Sequence, residues 1–379
     1  MTIMLCAGEA SGDLHASELI RAIRAQRPDC RFVFLGGDLM AEAAGCKPVI
    51  HYQQMAYMGF ADVVAHLPQV TRNLNVAYSL LRRQRPDALV LVDYPSFNLR
   101  LGAEACRLGI PVYYYIAPKV WAWKEHRTKT IARQCRRVFG IFPFEPAFFQ
   151  SHGYDRCVYV GNPSVEEIDR RLAAVPSPDE FRRIHGLPDK PIIAIVPGSR
   201  VGEIRRNLPI MLEAVRVLRS KFQAVIAGAP GIDRSLYDCG STPVIFDATT
   251  ELMHAAAGAI VTSGTASLEA ALAAVPQVVC YRHTGSRMLY AVMSRVLKIP
   301  YVSLPNLIAR RQVVPELLLH KCTPIEVLRH LINVLPGHRG HDAQLRGYAD
   351  IRRALGTTSA AATSARLLLS DLSDLSDHS

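Results

Sequence analysis

The sequence predicts an α/β protein made of two Rossmann-like domains that face each other across a cleft. Apolar runs of strand length alternate with stretches of helical periodicity, which is typical of parallel sheets covered by helices on both faces. This pattern pauses at Pro176, Ser177 and Pro178 and then begins again. The chain has 379 residues, which is enough for two domains of about 100–200 residues each.

The individual elements follow from the same two patterns. Strands are predicted in the first half at Thr2–Ala7, Arg31–Gly36, Ala88–Asp93, Pro111–Ile116 and Arg137–Phe142. Strands are predicted in the second half at Pro191–Val196, Phe222–Ala227, Thr242–Phe246, Gly258–Thr262 and Gln277–Tyr281. Helices are predicted at Asp13–Gln26, Val70–Arg85, Gly202–Arg219 and Ile325–Leu335.

The restart of the pattern sets the predicted domain boundaries. We expect an N-terminal domain over residues 1–170 and a C-terminal domain over residues 171–340. Residues 341–379 should form a helix and a tail that packs back on the N-terminal domain, and the Ser- and Asp-rich end of that tail should fray. A tail that crosses to another domain would also allow a homodimer.

Composition narrows the class of protein. The net charge of +11 favours anionic partners such as nucleotide phosphates, nucleic acid or an acidic membrane surface. The aromatic content of 7% and the lack of a recognised nucleic-acid motif argue against a nucleic-acid binder. No run approaches the roughly 18 apolar residues of a membrane span, and the amino terminus lacks the basic start of a secretory signal.

The cysteines and histidines predict a location and an absence of metal. The nine cysteines are scattered and form no CxxC pair, which is typical of a reducing compartment and predicts a cytoplasmic protein. The histidines show no HExxH or comparable spacing, and the pair His338 and His341 lies in a Gly-rich stretch that we interpret as a loop. We therefore expect neither a metal nor another cofactor.

Loops of the first half have residues suited to binding and base catalysis. In Gly8–Asp13 the small residues would let a ligand approach the backbone and the helix start would attract an anion, although an ordinary turn explains the loop as well. Asp93 closes an apolar strand, where it could act as a general base or cap the next helix. Trp121 and Trp123, the only tryptophans, could stack on a sugar, rest against lipid or pack in the core.

Loops of the second half have residues suited to a nucleotide diphosphate. Arg200 follows a strand in Pro197–Arg200 and could pair with both oxygens of a phosphate. The stretch Thr262–Glu269 follows a strand and begins a helix, whose free N–H groups would meet a pyrophosphate. Glu269 could accept bonds from ribose hydroxyls. A capping box is a weaker explanation for Glu269, because Ala266 stands where a Ser or Thr would be needed.

The stretch Phe60–Leu81 has two interpretations. Apolar residues recur there at helical spacing, with Pro68 dividing the run and several arginines nearby. An amphipathic helix packed on its own sheet explains this pattern. A hydrophobic patch with a basic rim that rests on a membrane explains it too.

Taken together and in this order, these motifs resemble the lipid-A-disaccharide synthase family over nearly the whole chain. The resemblance rests on Ala7–Asp13, Met58-Gly59-Phe60, Asp93-x-Pro95-x-Phe97-Asn98, Val120–Trp123, Pro197–Arg200, Ser263–Thr265 and Tyr301–Leu307. It implies the GT-B glycosyltransferase fold. It also implies an inverting transfer of 2,3-diacylglucosamine from UDP-2,3-diacylglucosamine to the 6-hydroxyl of 2,3-diacylglucosamine 1-phosphate, with no metal needed for the chemistry.

The resemblance implies roles for individual residues. Asp93 is the implied catalytic base, and Ser96 stands where a second acidic residue would be expected. The implied donor-binding residues are Gly198, Ser199, Arg200, Ser263, Gly264, Thr265, Ala266, Glu269, Asn306, Gln312 and Glu316. The implied acceptor-binding residues are Gly8, Glu9, Ser11, Gly12, Asp13, Asn98 and Trp121. The implied membrane patch, for the cytoplasmic face of the inner membrane, is Val63, Val64, Leu67 and Leu74.

Other UDP-sugar enzymes share the predicted architecture. The nearest alternatives are the peptidoglycan N-acetylglucosaminyl transferase and a UDP-sugar 2-epimerase. The Gly8–Asp13 loop and the two tryptophans argue against both.

Overall fold

The computed structural model describes residues 1–55, 67–122, 124–237, 240–282 and 301–376. The chain divides into two compact units: unit 1 contains Met1–Pro163 and Thr357–Ser379, and unit 2 contains Ser164–Gly356. Both units are α/β, as the sequence predicts. The boundary expected between residues 170 and 171 lies within a helix, and the division comes before it, between Pro163 and Ser164.

Unit 1 is built on a seven-stranded parallel sheet with strand order β3-β2-β1-β4-β5-β6-β7. Its strands are β1 (Thr2–Ala7), β2 (Arg31–Gly36), β3 (Ile50–His51), β4 (Ala88–Val92), β5 (Val112–Tyr115), β6 (Cys135–Gly140) and β7 (Cys157–Tyr159). Its helices are α1 (Ala10–Gln26), α2 (Asp38–Ala44), α3 (Leu67–Gln84), α4 (Pro95–Arg107), α5 (Arg127–Gln134) and α6 (Glu145–Ser151), and the last helix of the chain, α15 (Ala360–Ser376).

The sheet of unit 1 is covered on both faces. Successive residues of β1 alternate between two apolar clusters because strand side chains point to opposite faces. On one face Ile3 and Leu5 pack with Leu19 of α1 and Leu368 of α15. On the other face Met4 packs with residues of α3 and α4. Burial on both sides explains why these strands are continuous apolar runs.

Unit 2 is built on a six-stranded parallel sheet with strand order β10-β9-β8-β11-β12-β13. Its strands are β8 (Ile192–Val196), β9 (Gln223–Gly228), β10 (Val244–Phe246), β11 (Ala256–Thr262), β12 (Gln277–Tyr281) and β13 (Glu316–Leu318). Its helices are α8 (Pro178–Ile184), α9 (Val201–Val215), α10 (Thr249–Ala255), α11 (Thr265–Leu272), α12 (Leu304–Ala309), α13 (Pro324–Val334) and α14 (Arg339–Leu355). Helix α7 (Pro163–Leu172) begins at the division between the units.

Both sheets reverse their strand order at one point. In unit 1 the order runs one way from β1 to β3 and the other way from β4 to β7, and in unit 2 the reversal lies between β8 and β11. Such switch points leave a crevice beyond the carboxyl ends of the two central strands, where ligands of open α/β sheets bind. The fold therefore predicts ligand sites at the loops after β1, β4, β8 and β11.

The segment at the end of the chain differs from the sequence-based expectation. Helix α14 belongs to unit 2, and only the part from Thr357 returns to unit 1. There α15 runs from Ala360 to Ser376. Apolar burial of Ala365, Leu368 and Leu372 against the unit 1 core holds it in place. An ion pair adds to this, because Arg137 of β6 donates Nε and Nη2 to the Asp371 carboxylate at 2.8 and 2.6 Å.

No helix within the described ranges has both the length and the apolar character to cross a membrane. Helix α3 packs its Leu74, Ala77 and Leu81 into the unit 1 core. Leu74 is only 5% exposed, so its assignment to a membrane patch is corrected: the amphipathic-helix interpretation holds for this residue. Val63 and Val64 lie outside the described residues.

Replacing Asp371 by Asn should lower the free energy of unfolding by about 2 kcal/mol, because the mostly buried Arg137 loses a two-pronged charged partner. Urea unfolding measures this change. The matched control is Asp29→Asn in the exposed Arg27–Asp29 pair, which should cost about 0–1 kcal/mol. Equal small losses in both variants would show that the pair does not hold α15.

Candidate active site

The predicted functional loops lie at the two switch points. In unit 1 the loop at Gly8 and Glu9 follows β1, and Asp93 follows β4. In unit 2 Pro197–Arg200 follows β8, and Ser263 and Gly264 follow β11. Because β1 pairs with β4 and β8 pairs with β11, each unit brings its two loops together at the carboxyl edge of its sheet.

Asp93 lies in a tightly held turn between β4 and α4. Asp93 and Tyr94 both have left-handed backbone, with φ of +42° and +45°, a conformation that residues other than Gly rarely adopt. The Asp93 carbonyl oxygen accepts hydrogen bonds from Asn98 Nδ2 and from the Tyr114 hydroxyl, each at 2.7 Å. Asn98 Nδ2 also donates to the carbonyls of Cys6 and Val92 at 3.3 and 3.1 Å.

The Asp93 carboxylate binds a proton more tightly than an ordinary Asp side chain. Partial burial is the main cause that raises the pKa of Asp93 to about 6, and the nearby Glu9 carboxylate raises it further. Lys119 and the backbone N–H of Tyr94 oppose this shift. A carboxylate with a pKa near 6 is still ionised at pH 7 and is a better base than an ordinary Asp.

The loop after β1 is shaped by Tyr94. A Cβ added at Gly8 would lie 2.3 Å from the Tyr94 ring, so only Gly fits there. The Tyr94 hydroxyl donates to the Met55 carbonyl at 2.6 Å, which fixes the ring over Gly8. Ser11 Oγ donates to Glu9 Oε1 at 2.7 Å. Gly8, Glu9 and Ser11 are therefore held beside the Asp93 turn; their contact with an acceptor stays a prediction.

Asp13 has a structural set of partners. Its carboxylate accepts the backbone N–H groups of Gly37, Leu39 and Met40 at 2.7, 3.1 and 3.1 Å. Asp13 thus caps the start of α2 from a distant helix, and it is 3% exposed. Gly12 is buried beside it, where a Cβ would lie 3.3 Å from that of Ala7. The geometry gives both residues a packing role, and an acceptor contact by either stays a prediction.

Trp121 is packed among aromatic side chains. Its ring meets Phe142 and Phe144 edge to face, with centroids 5.9 and 5.1 Å away. The indole N–H donates to Glu145 Oε1 at 3.2 Å, and Trp121 is 9% exposed. This corresponds to the core-packing interpretation rather than to sugar stacking. Trp123 lies outside the described residues.

In unit 2 the two switch-point loops line one cavity of about 180 Å³. The predicted donor-binding residues in its wall are Gly198, Ser199, Ser263, Gly264, Thr265, Ala266 and Glu269. Gly264 is open, with nothing within 4 Å of a built Cβ, so a ligand could approach the start of α11. Burial raises the pKa of Glu269, with Glu167 adding to the shift and Arg171 opposing it.

Arg200 and the three most distal predicted donor residues are placed differently. Arg200 has a 70% exposed side chain 3.7 Å from Glu203, and it does not line the cavity. Glu316 accepts hydrogen bonds from Ser303 and Asn306, and Asn306 also bonds to the backbone of Val313 and Val314. Asn306 and Glu316 therefore brace the segment before β13, whereas Gln312 is exposed. Nucleotide contacts by these four residues stay predictions.

Several contributors were not found from the sequence. Tyr114 lies inside a strand and reaches the site only through its hydroxyl. Asn207 of α9 donates to the Pro197 carbonyl and to Thr262 Oγ1 at 3.3 and 3.1 Å and accepts the backbone N–H of Arg282 at 3.2 Å. Glu203 and Thr249 also line the unit 2 cavity. Only the position of Asn207 in the first turns of the helix after Pro197–Arg200 could have suggested its role.

Among the residues that the structure describes, no group of three or more His, Cys, Asp or Glu side chains is placed to hold a metal ion. The polar groups of the two crevices are instead carboxylates, hydroxyls, glycines and helix starts. These are suited to proton transfer in unit 1 and to an anion and hydroxyl-bearing ligand in unit 2.

Sequence comparison finds matches over almost the whole chain. The family model described as "Lipid-A-disaccharide synthetase" matches residues 3–365. The lipid-A-disaccharide synthase of Myxococcus xanthus is 41% identical, with 97% of this chain and 96% of that protein covered. The lipid-A-disaccharide synthase of Acidobacterium capsulatum is 37% identical, with 95% and 93% covered.

Solved structures with this fold are more distant in sequence. A UDP-N-acetylglucosamine 2-epimerase from Rickettsia bellii matches with a TM-score of 0.65 at 13% identity, covering 99% of this chain and 98% of that one. The calicheamicin glycosyltransferase CalG4 matches with a TM-score of 0.61 at 15% identity, covering 99% and 98%. At such identities the likeness shows the fold alone, and it agrees with the predicted GT-B class.

Replacing Asp93 by Asn should raise the free energy of unfolding by about 1–2 kcal/mol at pH 8. The pKa of Asp93 is about 6 in the folded state, above the ordinary value of about 3.9. The folded wild-type protein therefore binds more protons than the unfolded chain between roughly pH 4 and 6, and its stability falls as the pH rises through this window.

Urea unfolding at pH 4 and pH 8 measures the effect. The gain of Asp93→Asn should shrink toward pH 4, where Asp93 is protonated in the folded wild type and about half protonated in the unfolded chain. The control is Asp155→Asn at an exposed position of the same unit. An Asp93→Asn variant no more stable than wild type at pH 8 would show that folding does not destabilise the charged Asp93 carboxylate.

Proposed function

The chain belongs to the lipid-A-disaccharide synthase family, and on that premise we propose how its residues transfer 2,3-diacylglucosamine from UDP-2,3-diacylglucosamine to the 6-hydroxyl of 2,3-diacylglucosamine 1-phosphate. The products are a β-1,6-linked disaccharide 1-phosphate and UDP. The observation that carries the assignment is the position of Asp93, a carboxylate with a pKa of about 6 in the switch-point turn of unit 1.

Asp93 is the proposed general base. It takes the proton of the acceptor 6-hydroxyl while that oxygen attacks the anomeric carbon of the donor. The bond between this carbon and the UDP oxygen breaks as the new bond forms, through an oxocarbenium-like state. Attack from the face opposite UDP inverts the α linkage to β. The raised pKa brings the proton affinity of Asp93 closer to the working pH, where a general base is most effective.

Unit 2 is proposed to bind the donor. The start of α11 is open, because nothing lies within 4 Å of a Cβ built at Gly264. The N–H groups at Gly264 and Thr265 are proposed to stabilise the charge that grows on the diphosphate. Glu269, one turn further along, is proposed to accept hydrogen bonds from the ribose hydroxyls. Arg200 is mostly exposed and can swing toward the diphosphate when the donor binds.

Unit 1 is proposed to bind the acceptor. Glu9 and Ser11 lie beside Asp93 and offer hydrogen-bond groups to the sugar ring, while Gly8 keeps the approach to the turn open. Lys119, whose charge is near enough to lower the pKa of Asp93, adds positive charge on the side where an anionic acceptor would bind.

Both substrates carry acyl chains, so the protein must reach them at a membrane. We propose a cytoplasmic protein that attaches peripherally to the inner membrane through Val63, Val64 and Leu67. The net charge of +11 would add attraction to anionic lipids. A UDP-sugar 2-epimerase shares the fold and is the alternative that the activity assay must exclude.

UDP release by the purified protein tests the reaction. Release should require both UDP-2,3-diacylglucosamine and 2,3-diacylglucosamine 1-phosphate, and it should persist in EDTA because no step of the proposal uses a metal. UDP release that ignores the acceptor, or none at all from folded protein in several detergents, would contradict the transfer. Conversion of the donor to a 2-epimer would favour the alternative.

Asp93→Ala should lower kcat by about 10²–10⁴-fold and leave the Kd for the donor within about twofold. In the wild type, kcat should fall about tenfold per pH unit below the pKa of Asp93, about 6, since only the ionised carboxylate accepts a proton. The rate of UDP release, measured from pH 5 to 9, gives kcat of the variant and the pH dependence of the wild type. Asp155→Ala is the control. Near-normal turnover in Asp93→Ala would remove Asp93 as the base.

Val64→Glu and Leu67→Glu should reduce flotation of the protein with phosphatidylglycerol vesicles by about tenfold, because each charge must be moved out of the acyl boundary. The matched control is Val217→Glu, which alters a 64% exposed apolar residue of unit 2. Equal flotation of all variants would exclude this segment as the attachment site.

A further inference from the structure

We propose that Tyr114 is a positioning residue that aims the Asp93 carboxylate by holding the Asp93 carbonyl group. The inference rests on the proposed function, because it takes Asp93 as the base. Tyr114 lies in the middle of the unit 1 sheet and is fully buried. In the proposed mechanism Tyr114 contacts no substrate, and it acts through the backbone of the turn.

The register of the sheet brings the Tyr114 hydroxyl to the turn. β4 and β5 are parallel neighbours, and Tyr114 pairs with Leu91, two residues before Asp93. A Tyr side chain is long enough to span this offset. Its hydroxyl donates to the Asp93 carbonyl at 2.7 Å, and Asn98 Nδ2 donates to the same oxygen at 2.7 Å. Both lone pairs of that carbonyl are thereby occupied.

The turn needs these two hydrogen bonds because its backbone is strained. Two consecutive non-Gly residues, Asp93 and Tyr94, have left-handed φ angles, and such conformations persist only where the surroundings determine them strongly. Three side-chain bonds do so here: those of Tyr114 and Asn98 to the Asp93 carbonyl, and that of Tyr94 to Met55. Relaxation of Asp93 toward ordinary φ would swing its carboxylate away from its present direction.

The Tyr114 hydroxyl stays protonated and can therefore always donate its hydrogen bond. Burial raises its pKa well above the ordinary value, and the nearby Asp93 charge raises it further. The hydroxyl therefore remains protonated across the working pH range, and its proton is committed to the Asp93 carbonyl. Since the bond goes to the backbone and not to the carboxylate, Tyr114 sets the direction of the base and not its proton supply.

The test is Tyr114→Phe, which keeps the ring and removes one hydroxyl. We expect kcat to fall about tenfold, with KM for both substrates within about twofold, because a misdirected base costs rate rather than binding. The acid limb of the pH profile should also shift, since the carboxylate moves relative to Glu9. The matched control is Tyr113→Phe, whose ring packs in the cluster on the opposite face of the sheet; it should change neither kcat nor the pH profile.

A double-mutant cycle with Asp93→Asn distinguishes positioning from a general structural role. If Tyr114 acts through the Asp93 carboxylate, Tyr114→Phe should change the residual turnover of Asp93→Asn by less than about twofold. A further tenfold loss there would overturn the proposal, as would a lower thermal midpoint with unchanged kcat in the single variant. Normal turnover in Asp93→Asn would overturn the base assignment and this inference together, whereas an inactive Asp93→Asn with a fully active Tyr114→Phe would overturn only this inference.

Discussion

A buried asparagine side chain joins the strand ends at each switch point, and the candidate site of each unit depends on its amide. Asn98 joins the ends of β1 and β4 by donating to Cys6, Val92 and Asp93. Asn207 joins the ends of β8, β11 and β12 through Pro197, Thr262 and Arg282. Backbone groups that leave a sheet where its strand order reverses lose their ladder partners, and buried groups need a substitute. An amide supplies donors and an acceptor in a short side chain.

Two buried carboxylates of unit 1 show how hydrogen bonding separates a structural group from a reactive one. Burial raises the pKa of both, to about 7 for Glu145 and about 6 for Asp93. The Glu145 carboxylate accepts from the Trp121 indole and from the N–H groups of Ile141 and Phe142, so its oxygens are engaged. Asp93 instead has a second carboxylate, Glu9, beside it, and repulsion between the two charges adds to the effect of burial on its pKa. No carboxylate among the described residues contributes to the raised pKa of Glu145, and a shift caused by burial together with a specific charged neighbour is typical of functional groups.

The central strands could be predicted well from the sequence, because burial on both faces makes them continuous apolar runs. The bounds of β1, β2 and β12 agree with the prediction residue for residue. The edge strands β3, β7 and β13 were missed because two or three residues carry little pattern, although the three-residue edge strand β10 was found. The loops after the central strands were found, since strand ends are visible in sequence. The partners of Asp13, Asn306 and Tyr114 were not, because a hydrogen bond between distant residues leaves no local trace. The burial of Leu74 and of Trp121 could not be predicted either, because the sequence pattern around each allows both a core and a surface role.

The return of the last helix to unit 1 has a consequence for synthesis of the protein. Unit 2 is one continuous stretch of chain, so all of it has been translated before α15 exists. Unit 1 begins before unit 2 along the chain and is completed only after it, because Leu368 and Leu372 fill the cluster that contains Leu19 and Ile20 of α1. A nascent chain on the ribosome therefore carries an uncovered apolar face on α1 until α15 has emerged. Such a face is the kind of surface that chaperones recognise.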